Sequence, residues 1–317
     1  MPTAGCKTKC PEKELNFRWK NGLLHPLETE NPFGKIYALK RVPVKDNICK
    51  SYSRPAASKQ IDFSQVRTLE ACFDTIKYLQ KLASQYNQDH QWSLVYEYIN
   101  DRMRAIRQDI IVQNKHKDQK AGEIYEAIIK FYLISGYRSE KLKTSTYVAV
   151  HHQQELNETL ERWYAAKHNS KETMITYILY SLHRSDIVEV LYKHKSLLEE
   201  QYQVIMDLIS AYVIGNFVKF FRIVDGFEEL YRYALSSSIS EMRQNALNAL
   251  YSSSLSPIAK WPMKIISDWL SVAHEQETTA LLRFSFNDIK LEDGLVKFHG
   301  SKPNENQEID QFLWISI

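Results

Sequence analysis

The sequence predicts an all-α fold: stacked helical hairpins, a solenoid in geometry, ending in a C-terminal winged helix with a small β-wing. Three observations predict it. From Phe63 onward, apolar residues recur at the 3.6-residue helical period. Only nine glycines and nine prolines occur in 317 residues, whereas sheet-based α/β folds need more glycine at their strand-to-helix turns. Near the C-terminus, Asp293-Gly294 separates two alternating apolar runs, the signal of a two-residue hairpin turn.

Residues 1–60 read as an extended arm, because Pro26, Pro32, Pro43 and Pro55 punctuate them and no helical period persists. The segment to residue 59 holds 12 Lys+Arg against 5 Asp+Glu, a balance of +7, while the rest holds 29 against 33, or −4. A basic arm before a mildly acidic body fits either contact with an anionic partner or a solvated tail. The body, 61–238, opens with "SQVRTLEACFDTIKYLQKLASQY", where Val66, Leu69, Phe73, Ile76 and Leu79 or Leu82 share a face. In "QWSLVYEYINDRMRAIRQDIIVQN" Val95, Ile99, Met103, Ile106 and Ile110 do the same. Further helices are expected at 121–135, 146–167, 172–182, 186–194, 198–214, 216–224, 227–236 and 239–252. Short links force neighbours antiparallel, and Gly215-Asn216 marks the clearest hairpin corner. The absence of a fixed repeat period excludes tandem copies.

Residues 239–300 then read as the winged helix: a leading helix, two short ones in "IAKWPMKIISDWLSV" and "EQETTALLRFSF", and the hairpin "NDIKLEDGLVKFHG". A turn at Asp293-Gly294 pairs Glu292 with Leu295, Leu291 with Val296, Lys290 with Lys297 and Ile289 with Phe298. Ile289, Leu291, Val296 and Phe298 then face the helices, and Lys290 lies directly opposite Lys297 on the outer face. Like charges in that position repel, and a phosphate backbone would turn repulsion into attraction. Lys290 and Lys297 are therefore candidate nucleic-acid contacts, with Lys260, Lys264, Arg283 and Lys302 as helpers. The competing reading is solvated lysines that keep a hairpin edge from pairing; residues 258–302 carry six basic and six acidic side chains, so no strong basic field decides between them. Residues 301–317 form a tail, whose ending "EIDQFLWISI" reads as a short strand or docking segment.

The stretch "DRMRAIRQDIIVQ" crowds charge onto an apolar helix. At about 100° per residue, Arg102, Asp109 and Gln113 fall along one rim of the apolar face, Arg107 on the other, and Arg104 away from it. The arginines form no single stripe for a phosphate backbone to follow. A structural network of Arg102, Arg107, Asp109 and Gln113 is the expectation, with Arg102 and Asp109 hydrogen-bonded to a neighbouring helix; contact with a partner or with nucleic acid is the alternative.

Phosphate loops, nucleophile elbows and H-E-x-x-H pairs do not occur, and His151 with Glu155 is too little for a metal site. Cys6 and Cys10, even with His25 or Cys49, lack the spacing of a zinc site and read as apolar anchors of the arm. No enzyme, cofactor, metal or small-molecule substrate is expected. The four cysteines make no disulfide framework, "MPTAGCKTKCPEKE" contains no secretory apolar segment, and no run approaches the ~18 apolar residues of a membrane span. The expectation is a reduced, intracellular, soluble protein without membrane contact.

"INDRMRAIRQDIIVQ" resembles the D-R-x-R-x-I-R-x-D-x-x-x-Q signature of the SAC-three/GANP family of mRNA-export scaffolds. "GCKTKCPEKE", "KSYSRPAASK" and "GNFVKFFRIV" resemble the family's C-x-x-x-C-P-x-x-E, Y-S-R-P-A-A and G-N-x-x-x-F-F elements, in the same order. Thr8 and Lys9 depart from the Asp-Met that the first element carries, so its docking is expected to differ there. The resemblance implies a TPR/PCI-like helical body and a PCI-type winged helix. It also implies a PCI-domain partner, a small acidic stabilising subunit, and contact with RNA or DNA through paired winged helices. It makes Cys6, Cys10, Tyr52, Arg54 and Pro55 the arm-docking residues. With so little chain beyond the domain, the sequence is most similar to the small centrosome-linked members. The implied role is a non-catalytic export scaffold in nucleus and cytoplasm; the alternative is a centrosome- or spindle-associated regulator of centrosome duplication and mitotic progression without nucleic-acid binding.

Overall fold

The computed structural model describes residues 4–34, 42–54, 61–254 and 256–304. Among them the chain is mostly helical, with fourteen α-helices and small sheets near the C-terminus. Two compact units divide at Asn169 and Ser170. No helix among the described residues is long and apolar enough to cross a membrane.

Unit one starts with α1 (Glu12–Lys20), inside the segment read as helix-free. Its signal is faint because Pro11 at the cap offers no side-chain bond and only Leu15 and Arg18 are buried. Single 3-10 turns follow at Pro26–Glu28, Lys45–Asn47 and Phe63–Gln65. Helix α2 (Leu69–Gln85) begins later than its apolar pattern suggests, since Thr68 caps it by accepting from the Ala71 N–H at 3.2 Å. Val66 lies before the helix, and Phe73 is only half-buried, with Lys77 and Lys120 over its ring. Helix α3 (Trp92–Val112) buries Val95, Ile99, Met103, Ile106 and Ile110 completely or nearly so.

Asp118 caps α4 (Gln119–Lys141), which packs along α5 (Ala149–Ala165) as well as α2 and α3. That approach is close. A Cβ on Gly122 would lie 2.4 Å from His168, and one on Gly136 would lie 2.9 Å from the His152 ring. His152 is buried, with Nε2 donating to the Tyr132 carbonyl at 2.8 Å and Nδ1 accepting from the Tyr96 hydroxyl at 3.0 Å. Burial pushes its pKa down to about 4, so the ring is neutral.

Unit two begins with α6 (Lys171–Tyr180), capped by Ser170. The stretch expected as two helices breaks into α7 (Ile187–Lys193), α8 (Lys195–Leu198) and α9 (Gln201–Val213), with Glu199 at φ +51° interrupting the run. Gly215 at φ +70° and the Asn216 cap then turn the chain into α10 (Phe217–Val224), and α9 and α10 pack as a hairpin around Leu208, Phe220 and Phe221. Helices α11 (Glu229–Ala234) and α12 (Ser236–Ser253) follow.

A short strand, β1 (Trp261–Pro262), precedes α13 (Met263–Leu270) and α14 (Glu275–Ser285). Then come β2 (Phe286–Asn287), β3 (Lys290–Glu292), β4 (Leu295–Lys297) and β5 (Lys302–Pro303). One sheet has the order β1-β4-β3, and β2 pairs with β5. Phe286, Val296 and Phe298 are buried, and both phenylalanines meet the Tyr251 ring of α12. The ending "EIDQFLWISI" lies outside the described residues.

Buried Arg243 on α12 closes the last turn of α13, donating to the carbonyls of Leu270 (3.0 Å) and Ser271 (2.7 Å). Burial lowers its pKa to about 10, against the pull of Glu277 and Asp225.

Candidate functional site

Two groups of charged residues stand out, one in each unit. In unit one the outer face of α3 is covered by the residues that precede α2. Glu28, fully buried, takes an ion pair from Arg18 and another from Arg102 at 3.2 Å, with N–H groups of His25 (2.9 Å) and Cys49 (3.2 Å) and the Tyr98 hydroxyl (3.3 Å) around it. Asp109, also buried, accepts from Lys50 Nζ at 2.5 Å and Arg67 Nε at 2.6 Å. Asp101 accepts the Tyr52 N–H at 3.1 Å and pairs with Arg102. Gln108 donates to the Ser53 carbonyl at 2.8 Å, and Gln113 to the Arg67 carbonyl at 2.7 Å. The partners of Arg102 and Asp109 thus come from the segment before α2, not from a neighbouring helix as the wheel suggested.

The other two arginines bind α5. Arg107 pairs with Glu155 and Glu158 and donates to Thr159 at 3.0 Å. Arg104, placed away from the core by the wheel, lies over the Tyr52 ring at 4.1 Å and pairs with Glu155 at 3.0 Å. Burial alone would favour neutral guanidines on Arg67 and Arg102; Asp109 beside the first, and Tyr98 with Glu28 beside the second, hold both above their ordinary range.

Both cysteines of the C-x₃-C element are buried. Cys6 runs beside Arg67, its N–H donating to Val66 at 3.0 Å and its carbonyl accepting from Thr68 at 2.9 Å. Cys10 packs with Leu15, Ile48 and Leu24, and burial pushes its thiol up to about 12. At the two departures from the family element, Thr8 Oγ1 donates to the Cys10 carbonyl at 2.8 Å, and the Lys9 carbonyl accepts the Lys50 N–H at 3.0 Å. All four cysteines are free thiols, and His25 is stacked on Tyr98 with its Nδ1 accepting from Leu27. Among the described residues no three metal-ligating side chains gather. Arg54 is exposed, and Pro55 lies outside the described residues.

An open cleft of about 1480 Å³ runs along this clamp, bordered by Phe17, Leu23, Ile61, Arg54 and Arg104, with a second of about 620 Å³ on the α5 side. The buried carboxylate that borders the first, Asp109, is committed to Lys50 and Arg67.

In unit two the β3-β4 register places Lys290 opposite Lys297, Leu291 opposite Val296 and Glu292 opposite Leu295. Strand β1, unannounced in the sequence, adds a third strand: Trp261 pairs with Val296, and Lys260 stands one residue before β1, on the Lys297 side of that pair. Lys260, at the entry to β1, thus extends the facing pair Lys297 and Lys290 into a row. Glu292 pairs with Lys297 at 2.5 Å; that contact first, then the charges of Lys290 and Lys260, hold its carboxyl below the usual range. Lys264 on α13, Arg283 on α14 and Lys302 on β5 are exposed on other elements and take no part in the row.

Residues 9–287 match the model of the SAC3/GANP family. The chain belongs to that family. A curated relative, SAC3 family protein B of Arabidopsis thaliana, is 24% identical over 321 residues, a match that covers 90% of this chain and 18% of that protein. The chain therefore spans under a fifth of that relative's length.

The family match takes in the whole α3 clamp and ends at Asn287, before β3, so the wing lysines Lys290 and Lys297 lie outside it. Sequence reasoning missed Glu28, Lys50 and Arg67, the partners that complete the clamp. A buried carboxylate between two prolines leaves no periodic trace; the usable signal was that Asp109 and Arg102 on a covered face each require an opposite charge.

Proposed function

We propose that this SAC3/GANP domain is a non-catalytic scaffold of the mRNA-export type. In this reading the helices form a hairpin solenoid closed by a winged helix, made of α12, α13, α14 and the β3-β4 wing. The winged helix pairs with a PCI-domain protein, with a small acidic subunit stabilising the pair, and the lysine row lies along RNA or DNA backbone in the nucleus and cytoplasm. The row supports the reading: a facing lysine pair on one sheet with Lys260 at the entry to β1, and Glu292 paired to Lys297, make a surface that gains from a phosphate.

The Lys297–Glu292 contact favours a second reading, a centrosome- or spindle-associated regulator in which the lysines only guard the hairpin edge. Charge reversal separates the two. With the PCI partner co-expressed, K260E/K290E/K297E is expected to weaken binding of a fluorescent single-stranded RNA by at least about tenfold with unchanged helix content. Unchanged RNA affinity would remove the nucleic-acid role and leave the regulator.

A further inference from the structure

Three consecutive residues of the segment before α2 are each held by a different carboxylate. Lys50 Nζ meets Asp109 at 2.5 Å, and the Tyr52 N–H meets Asp101 at 3.1 Å. Between them Ser51 donates twice to one oxygen of Glu14 on α1, from its N–H at 2.8 Å and from its hydroxyl at 2.9 Å. Ser51 and Glu14 both border the open cleft, and Ser51 is half-buried, so local opening brings its hydroxyl to solvent. The nearest cation to Glu14 is Arg18 at 3.7 Å, and Arg18 is already engaged with Glu28 and, at 3.0 Å, with the Cys49 carbonyl. At Ser51 the site is built to accept a small donor, and among the described residues the cation paired with Glu14 is Arg18.

We propose that Ser51 is a phosphorylation site at which a phosphoryl group releases residues 50–53 from α1 and α3. Lys50 and Arg54 flank it, the context that kinases directed by basic residues accept. The kinase transfers the γ-phosphoryl group of a nucleoside triphosphate. The bond from Oγ to phosphorus forms, the bond from phosphorus to the leaving nucleoside diphosphate breaks, and the hydroxyl proton passes to the kinase's base. Modification occurs on the opened segment. The dianion then faces Glu14 in place of a hydroxyl donor, and the segment does not relatch. The proposal is independent of the lysine row.

The full chain carrying phosphoserine at position 51 tests it by amide hydrogen exchange. Exchange at Ser51 and Tyr52 is expected to rise at least about tenfold, with unchanged overall helix content. Ser51→Ala keeps the N–H bond and should change exchange by less than about threefold. Glu14→Gln removes the opposing charge but keeps an acceptor, so it should reverse part of the effect in the phosphorylated chain. Phosphorylated exchange equal to that of Ser51→Ala, or insensitive to Glu14→Gln, overturns the device. Phosphopeptide mapping of the chain from phosphatase-inhibited cells tests the modification itself: phosphate on Ser51 is expected, and a map covering residues 48–54 with Ser51 unmodified overturns the assignment.

Discussion

Helix α3 and the β1-β4-β3 sheet both gather cations closely in space, and they treat them in opposite ways. On α3 the charges are inside: Arg102 and Asp109 are buried, and the chain before α2 supplies Glu28, Lys50 and Arg67 to meet them. On the sheet Lys290 and Lys260 are exposed, and Glu292 is the carboxylate that pairs with the row. The residue types hardly differ; the supply of carboxylates does. Where the fold brings an acid to each base, charge specifies how one segment seats on another. Where it does not, the charge stays at the surface.

The sharpest way to break this comparison is to remove an acid from the covered side. Asp109→Ala strands Lys50 and Arg67 and is expected to cost about 3–5 kcal/mol, read as a fall in the unfolding midpoint with loss of protection around residues 48–54. A change below about 1 kcal/mol would reduce the clamp to the level of a surface ion pair.

The next largest effect is on pH. His152 has its pKa lowered to about 4 in the fold, against an ordinary 6.5. The unfolded chain therefore binds the extra proton first, and stability, full above about pH 6.5, falls as pH drops toward 4 by up to about 3 kcal/mol. Denaturant midpoints across that range should flatten in His152→Gln. Gly136→Ala pushes on the same ring and should cost about 1–3 kcal/mol at neutral pH. Smallest is Lys290→Thr on the exposed side. It relieves like-charge pairing with Lys297 and should stabilise by a few tenths of a kcal/mol up to about 1, measurable by thermal unfolding.

The parts of the fold that could be read from sequence are those with long-period burial. Helices α3, α4 and α9, and the register of Lys290 with Lys297, follow from apolar spacing and from one Asp-Gly turn. Helix α1 and strand β1 could not be read the same way. One buries two residues, and the other is two residues long and exists through its pairing with β4. The site followed the same division. The wheel put Arg102 and Asp109 on the rim of the apolar face and assigned their partners to a neighbouring helix, whereas Glu28, Lys50 and Arg67 come from the segment before α2. Glu28 lies 74 positions from Arg102 and Lys50 lies 59 from Asp109, distances across which local periodicity carries no information.

Salt dependence of RNA binding tests both halves of the comparison in one titration. If the sheet's cations meet the backbone and those on α3 serve the fold, replacing Lys260, Lys290 and Lys297 by glutamine should reduce the slope of log affinity against log salt by about 2. Arg104→Gln should leave that slope unchanged. The reverse pattern, a slope lowered by Arg104→Gln and untouched by the three lysine substitutions, would contradict the account.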